Sequence, residues 1–200
     1  RGGSRRARLD RLLLPERLMP HSRAEAEALL FEFTKSDALR KHGRGVEETM
    51  RAYAGWHGIT EPAETEKWGV VGLLHDFDYE QNPTEETHLH VGTRILRDRG
   101  WPEDWVRAVA SHADYMGVPR ESRVAKTLFA VDELCGFCMA CAMVQPDRKI
   151  AQVKVKSVRK KLKKKDFAAK VNREEIREGA ADLGLEVDET IEHVLQALVP

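Results

Sequence analysis

A histidine and an aspartate stand side by side at the end of an apolar run, in the stretch GVVGLLHDFDYE that covers residues 69–80. On a helix, Trp68, Val71 and His75 recur at steps of three and four residues, and Asp76 follows one position later. His75 therefore lies on the face that an amphipathic helix turns toward the core. Imidazole nitrogen and carboxylate oxygen are both metal ligands, so the pair is a candidate centre for metal-dependent chemistry.

Further ligand-type side chains occupy inward positions on other predicted helices. Each lies three or four residues from an apolar residue of its own helix, as His42 does from Leu39 and Val46. The complete inward set is His42, His75, Asp76, His88, His112 and Asp132. One inward histidine is more often a core residue than a ligand, but the coincidence on five helices favours a shared metal centre.

The free energy of burial gives the physical reason for that interpretation. Burying these groups without a common partner would cost several kcal/mol for each charged one. A shared cation relieves all of them together. Histidine nitrogen with carboxylate oxygen, and no thiolate, suits Fe, Mn, Co, Ni or Zn, whereas Mg is disfavoured. The sequence thus predicts one or two divalent transition metal ions.

The remaining histidines serve as controls. His90 shares its helix face with arginines and is expected to point outward, and His193 is expected on the polar side of the last helix. His57 precedes a glycine, where a histidine at a helix C-terminus is a sufficient explanation. His21 lies next to the N-terminal segment. None of these four is predicted to be a ligand.

Composition limits the classes of protein that the chain can belong to. The 200 residues include 42% hydrophobic and 33% charged residues, with a formal net charge of zero, which is typical of a globular protein and not of a disordered one. No apolar run approaches the length that crosses a bilayer. The three cysteines form no secreted disulfide framework, so a cytoplasmic location without a membrane partner is expected.

All three cysteines lie in CGFCMAC, whose spacing also occurs in iron–sulfur proteins. This stretch, however, follows Asp132 within a long helical pattern. On a helix Cys135 and Cys141 diverge by about 120°, so they do not readily enclose one cluster. Small buried residues beside the metal site are the better interpretation.

Nearly every segment carries a helical pattern, which predicts an all-α protein. The predicted helices cover about 23–35, 38–57, 64–76, 86–99, 102–113, 121–145, 153–165, 173–183 and 187–198. Ser22 is an expected N-cap, with Glu25 completing a capping box, and Thr84 is a weaker N-cap candidate. The predicted organisation is an N-terminal arm, flexible or non-native, at 1–20 with Met19 as a plausible start, a metal-binding helical domain at 21–146, and basic and amphipathic helices at 147–200 packed on the same domain.

A lysine-rich segment at 148–165 contains ten basic residues and no acidic one. Val155, Val158 and Leu162 form an apolar stripe, so the segment is expected to be an amphipathic basic helix. A solvated outer face is the favoured interpretation, and attraction of phosphate is the other. The candidate phosphate-binding residues are Lys154, Lys156, Arg159 and Lys160. Interleaved aromatic residues are absent, so binding of nucleic acid is not favoured.

The order His42, His75-Asp76, Asp132 resembles the HD-domain superfamily of metal-dependent phosphohydrolases. The segment HLHVGTRIL is similar to H-x-x-x-G-x-x-I-L of HDIG-type members, which places His88 rather than His90 in the ligand position. LLHDFDYE, AVDELCGF and VKSVRKKLKKKDFAAKVNREEI extend the resemblance to small stand-alone prokaryotic HD proteins of unassigned substrate. It implies a single HD-domain helical bundle with a C-terminal helical extension.

The resemblance also implies a chemistry. His42, His75, Asp76 and Asp132 would hold one ion, and His88 with His112 would complete a second site bridged by Asp76. The expected activity is hydrolysis of a phosphoester, of a nucleotide or another small phosphorylated molecule, by a metal-bound hydroxide. Two alternatives stay open: a di-iron HD-type oxygenase, and a non-catalytic HD module that binds nucleic acid through its lysine-rich helix.

The residues after the doublet depart from the family pattern. Many HDIG proteins have Ile-Gly-Lys there, whereas this chain has Phe77, Asp78 and Tyr79. Asp78 is therefore a second candidate catalytic carboxylate beside Asp76. Three roles are open to it: a general base, a hydrogen-bond partner of a ligand histidine, or a helix-end cap.

Overall fold

A computed structural model describes residues 21–199, so the predicted arm at 1–20 lies outside the described residues. Over that range the chain forms nine α-helices and two single-turn 3₁₀-helices without a β-strand, which confirms the all-α prediction. The α-helices are α1 Arg23–Phe33, α2 Asp37–Trp56, α3 Pro62–Leu74, α4 His90–Asp98, α5 Glu103–Ala110, α6 Arg123–Met143, α7 Val155–Leu162, α8 Arg173–Asp182 and α9 Val187–Ala197. The 3₁₀-helices are Asp114–Met116 and Ile150–Gln152.

Several predicted helix ends are wrong in a way that matters for the site. The helix predicted at 86–99 begins only at His90, and the one predicted at 102–113 ends at Ala110. The helix predicted at 64–76 ends at Leu74, with His75 as its C-cap. The ligand-type residues of these three segments therefore lie in turns that adjoin helices, rather than on helix faces.

The helix starts follow ordinary capping chemistry. Ser22 accepts a hydrogen bond from the backbone N–H of Glu25 at 3.4 Å, which confirms it as the N-cap of α1. The reciprocal bond of the box goes elsewhere, because the Glu25 carboxylate accepts from the backbone of His21 at 2.8 Å. Thr84 is not an N-cap of α4: its carbonyl accepts from the backbone of His88 at 2.7 Å and so closes a separate turn.

Helices α2 and α3 pack closely along much of their length. At Gly72 a Cβ atom would lie 3.0 Å from the carbonyl oxygen of Val46 and 3.1 Å from the Cα of Glu47. A larger residue at this position would therefore push the two helices apart. This close approach brings His42 of α2 next to His75 at the end of α3.

The longest helix, α6, is buried along most of its length and contacts α2, α3, α5, α7, α8 and α9. Its contact with α8 is tight, since a Cβ atom on Gly179 would overlap the Cα of Ala130. Helix α7 buries Val158 and half-buries Val155 and Leu162, which confirms the predicted apolar stripe on a shorter helix. No helix among residues 21–199 combines the length and the apolar character needed to span a bilayer.

Candidate metal centre

The fold brings all the predicted ligand residues together in two groups that share Asp76. The first group is His42, His75, Asp76 and Asp132, and the second is Asp76, His88 and His112. Within each group the ligand atoms all lie within 4.8 Å of one another. The long helices α2 and α6 and the end of α3 supply the first group, and the turns beside α4 and α5 complete the second.

In the first group, three side chains meet at one carboxylate oxygen. The Nε2 atoms of His42 and His75 lie 2.9 Å and 3.1 Å from Oδ1 of Asp132. The two Nε2 atoms are 3.2 Å apart. His75 Nε2 is also 3.4 Å from Oδ2 of Asp76, which closes the group.

The second group converges on the other oxygen of Asp76. His88 Nε2 lies 3.1 Å from Oδ1 of Asp76, and His112 Nε2 lies 3.4 Å from the same atom. Asp76 thus turns Oδ2 toward one group and Oδ1 toward the other. This is the geometry of a carboxylate that can bridge two cations.

Backbone carbonyls fix the orientation of two of the imidazoles. The Nδ1 atom of His75 donates to the carbonyl of Gly72 at 2.8 Å, and that of His112 donates to the carbonyl of Val109 at 2.7 Å. A carbonyl oxygen only accepts, so Nδ1 carries the hydrogen in both rings. In the neutral imidazoles, Nε2 then presents a lone pair to the carboxylate of Asp76 or Asp132, a contact that becomes favourable when Nε2 is protonated or when a metal ion lies between the two atoms.

Asp78 orients the histidine of the second group that no carbonyl holds. Its Oδ1 accepts from Nδ1 of His88 at 3.0 Å, and its Oδ2 accepts from the backbone N–H groups of Leu89 and Gly92 at 3.2 Å and 3.0 Å. The residue is fully buried. These contacts match two of the three predicted roles, the partner of a ligand histidine and the cap of a helix end at α4. The general-base role stays a prediction.

The glycine of the H-x-x-x-G segment has a steric explanation at this point. A Cβ atom on Gly92 would lie 2.7 Å from both Cγ and Oδ1 of Asp78. A side chain there would displace the carboxylate that holds His88. Leu89 follows His88 and adopts a φ of 61°. This conformation ends the turn, and α4 begins at the next residue, His90.

The electrostatics of the cluster favour positive charge. Burial disfavours the imidazolium form of His75, but the charges of Asp76 and Asp132 outweigh it and hold its pKa well above the usual value. Burial also disfavours the imidazolium form of His88. Hydrogen bonds with Asp76 and Asp78 outweigh burial and raise the pKa of His88 to about 9. Burial raises the pKa of Asp76 and Asp132, yet the neighbouring His75 and further histidine contacts lower both below their usual range. In this cluster protons occupy the place that a metal cation would take.

A cavity of about 590 Å³ opens onto this cluster, and five of the six ligand residues line it. Burial and the charge of Asp132 raise the pKa of the adjacent Glu133 to about 7. Outside the two metal groups, the polar and aromatic residues of the wall are Tyr79, Glu85, Asp114, Tyr115, Glu133, Lys170 and Glu175.

The four basic residues predicted to bind phosphate do not line the cavity; they are exposed on and beside α7, and Arg159 pairs with Asp188 at 2.6 Å. Lys170, which sequence reasoning missed, lies in the cavity wall instead. Phe167, three residues earlier, packs against Phe137 of α6 with ring centroids 5.4 Å apart. The basic run is interrupted at residues 166–169, and Phe167 within this break indicates that the chain returns to the core there. This interruption could have directed attention to Lys170 in the sequence.

The control residues behave largely as predicted, since neither metal group among residues 21–199 includes His21, His57, His90 or His193. His90 is exposed, which confirms its outward position, and His57 is the C-cap of α2. The prediction for His193 is wrong in part, because its ring is half-buried against Trp56 with centroids 4.4 Å apart.

The three cysteines are free thiols, and all are buried as expected. Cys135 Sγ lies 3.2 Å from Oγ1 of Thr49. Burial raises the pKa of Cys135 to about 12. A protonated thiol is a poor metal ligand, and neither metal group of the described chain contains a cysteine.

No protein-family model, curated protein or solved structure matches this chain. The class of the protein therefore rests on its own fold and residues. It is an all-α protein with a buried histidine–aspartate cluster that could hold metal ions.

Proposed function

We propose that this chain is an HD-type metal-dependent phosphohydrolase that holds two divalent transition metal ions and cleaves a small phosphoester. The observation that carries the proposal is the position of Asp76, whose two carboxylate oxygens face separate sets of histidine Nε2 atoms. The ligands follow one another along the chain in the order His42, His75-Asp76 and Asp132, and the resemblance to HD-domain proteins rests on that order.

The donor set fits the proposed ions. Histidine nitrogen and carboxylate oxygen suit Fe, Mn, Co, Ni or Zn, and Asp76 is shared between a four-residue and a three-residue group. The cavity is lined by members of both groups, so water and a substrate could reach ions held there. When bound, the two ions activate water near neutral pH and neutralise charge on phosphoryl oxygens.

The protein side chains have separate roles in this proposal. His42, His75 and Asp132 hold one ion, while Asp78 and the carbonyl of Val109 fix the rings of the second group. Lys170 stands in the cavity wall, where its ammonium group can contact phosphoryl oxygens. A volume of about 590 Å³ suits a small molecule rather than a polymer.

The first experiment is metal analysis by inductively coupled plasma mass spectrometry, on protein purified without chelator or metal-binding tag. We expect about two ions per chain, and phosphate release from a panel of phosphomonoesters that EDTA abolishes and Mn²⁺ restores. A protein that takes up no Mn²⁺ or Fe²⁺ would refute the proposal.

Two further measurements separate the alternatives, namely O₂ consumption and binding of nucleic acid. Two iron ions per chain, with consumption of O₂ and no release of phosphate, would identify an oxygenase. Salt-sensitive binding of RNA or DNA that survives His75→Ala, in a protein without phosphatase activity, would identify a nucleic-acid module on the lysine-rich helix.

A further inference from the structure

The wall of the metal cavity is strongly acidic beyond its ligands. Four carboxylates stand there outside the two metal groups, against one cation, Lys170. Asp114 is neutralised by Arg120 at 2.5 Å. The other three, Glu85, Glu133 and Glu175, form no ion pair within residues 21–199.

Bound metal would not cancel these charges. Two divalent ions carry four positive charges, and the carboxylates of Asp76 and Asp132 take up two of them. A phosphate dianion takes up the remaining two. Glu85 and Glu175 alone would then still outnumber Lys170, so a substrate that is anionic throughout would leave part of the wall uncompensated.

Glu133 and Glu175 lie on the same side of the cavity. Glu133 follows the ligand Asp132 on α6, and Glu175 comes from α8, which packs tightly on α6 at Gly179. Both are half-buried. The nearest partner of Glu175 is the neutral amide of Asn172, which donates at 2.6 Å. Two half-buried carboxylates without a counterion lower the free energy of a cation placed beside them.

Two tyrosines add aromatic faces to the same cavity. Tyr79 and Tyr115 line the cavity and are 39% and 38% exposed. Their ring centroids lie 5.1 Å and 6.5 Å from that of His88. Tyrosine faces attract ammonium groups and pack against carbon chains.

We propose that the substrate of this site carries an ammonium group in addition to its phosphoryl group, and that Glu133 and Glu175 bind that ammonium group. This inference rests on the proposed function, because it takes the phosphoryl end to lie at the metal ions. The substrate class is then an aminoalkyl phosphoester, in which the phosphoryl group meets the ions and Lys170 while the cation meets the acidic wall.

The test compares two ligands that differ in one group, O-phosphoethanolamine and 2-hydroxyethyl phosphate. Their dissociation constants are measured on the Mn²⁺-loaded full chain by isothermal titration calorimetry. We expect the ammonium ligand to bind at least about tenfold more tightly, as one charge pair in a half-buried site warrants. Equal affinity, or tighter binding of the hydroxyl ligand, would overturn the inference.

Glu175→Gln assigns the effect to the wall. It should weaken the ammonium ligand about tenfold and change the hydroxyl ligand by less than about twofold. Glu178→Gln, an exposed carboxylate on the same helix, is the matched control and should preserve the preference. Glu133→Gln is the second variant if Glu175→Gln fails to fold. A variant that weakens both ligands equally would count against recognition of the cation.

Turnover separates this inference from the proposed function. Release of phosphate from both esters without an ammonium preference would leave the hydrolase intact and overturn the substrate class. An ammonium preference in binding without release of phosphate would support the acidic wall and count against hydrolysis.

Discussion

Two groups of buried charges in this protein are compensated in opposite ways. Glu47 of α2 has a side chain that is 1% exposed, and it is paired with two guanidinium groups. Arg23 lies 2.7 Å away and Arg51 lies 3.1 Å away, and Arg51 also pairs with Glu66 at 2.9 Å. The chain itself therefore supplies every countercharge that this network requires.

Among residues 21–199, no arginine or lysine pairs with Asp76 or Asp132, whose partners are histidines. Their carboxylates face imidazole Nε2 atoms, whose lone pairs cannot donate unless the rings are protonated. The Glu47 network is complete within the described chain. The cluster around Asp76 and Asp132 could instead hold a metal ion, which under the proposed function would supply the missing positive charge.

Asp76→Ala is expected to have the largest effect on function. Removing the shared carboxylate should lower metal content below one ion per chain and reduce phosphatase activity by about 10³-fold, because both ion sites lose a ligand. Metal analysis and phosphate release measure the two effects. Asp98→Ala removes an exposed carboxylate at the end of α4 and should change neither. Retention of metal and activity in Asp76→Ala would contradict the proposed centre.

Glu47→Gln tests the other side of the comparison. It leaves two arginines without their buried partner, so the free energy of unfolding should fall by about 3–5 kcal/mol. Chemical denaturation measures the change, and metal content per folded chain should stay at the wild-type value. Its exposed neighbour Glu48 is the control, since Glu48→Gln should change stability by less than about 0.5 kcal/mol. A loss of bound metal in Glu47→Gln would show that the two networks are coupled.

Asp78→Asn should weaken the second ion without removing the first. An asparagine amide cannot reproduce the charged acceptor that holds His88, so we expect affinity for the second ion to fall by about 10–100-fold. Gly92→Ala should give a similar loss, because its Cβ would displace the same carboxylate. Titration with Mn²⁺ resolves the two binding steps. Equal weakening of both ions would show that Asp78 acts on the whole fold and not on one histidine.

The smallest expected effect is the pH dependence of metal-free stability. The pKa of His88 is about 9 in the folded chain, against an ordinary value of 6.5. The stability that protonated His88 provides is therefore complete below pH 6.5 and is lost as pH rises to about 9. We expect the Tm of the metal-free protein to fall by about 5 °C across this window, while the metal-loaded protein changes less. If the difference in Tm between the metal-loaded and the metal-free protein became smaller toward pH 9, the prediction would be wrong.

The helical pattern and the residue types made much of this arrangement predictable. All nine helices of the described chain were expected from three- and four-residue periodicity, and the two metal groups contain only residues from the inward set. The reason is that a ligand directed inward takes the place of an apolar residue in the stripe, so a polar residue at an inward position can be recognised in the sequence. His88 and His112 were found on this basis although they lie in turns, beside the start of α4 and the end of α5.

The cavity wall was less predictable, because it depends on which elements meet in space. Lys170, Glu133 and Glu175 come from segments whose relative position no periodicity encodes. The exposed lysines of α7 carried the stronger charge signal, yet they lie outside the cavity wall. Asp78 was predicted to be a functional carboxylate. Its hydrogen bonds with the backbone of Leu89 and Gly92 could not be predicted, because they depend on the turn at residues 84–89.

The backbone around the cluster has a consequence for the order of binding. His75 is the C-cap of α3, and His112 follows the C-cap of α5, so two helices direct their C-terminal ends at the same point. Each end carries a partial negative charge from its aligned peptide dipoles, about half an elementary charge. Both helix ends therefore add to the preference of the cluster for a cation. Under the proposed function, we expect the metal ions to bind before an anionic substrate, because the helix ends repel an anion until the ions are in place.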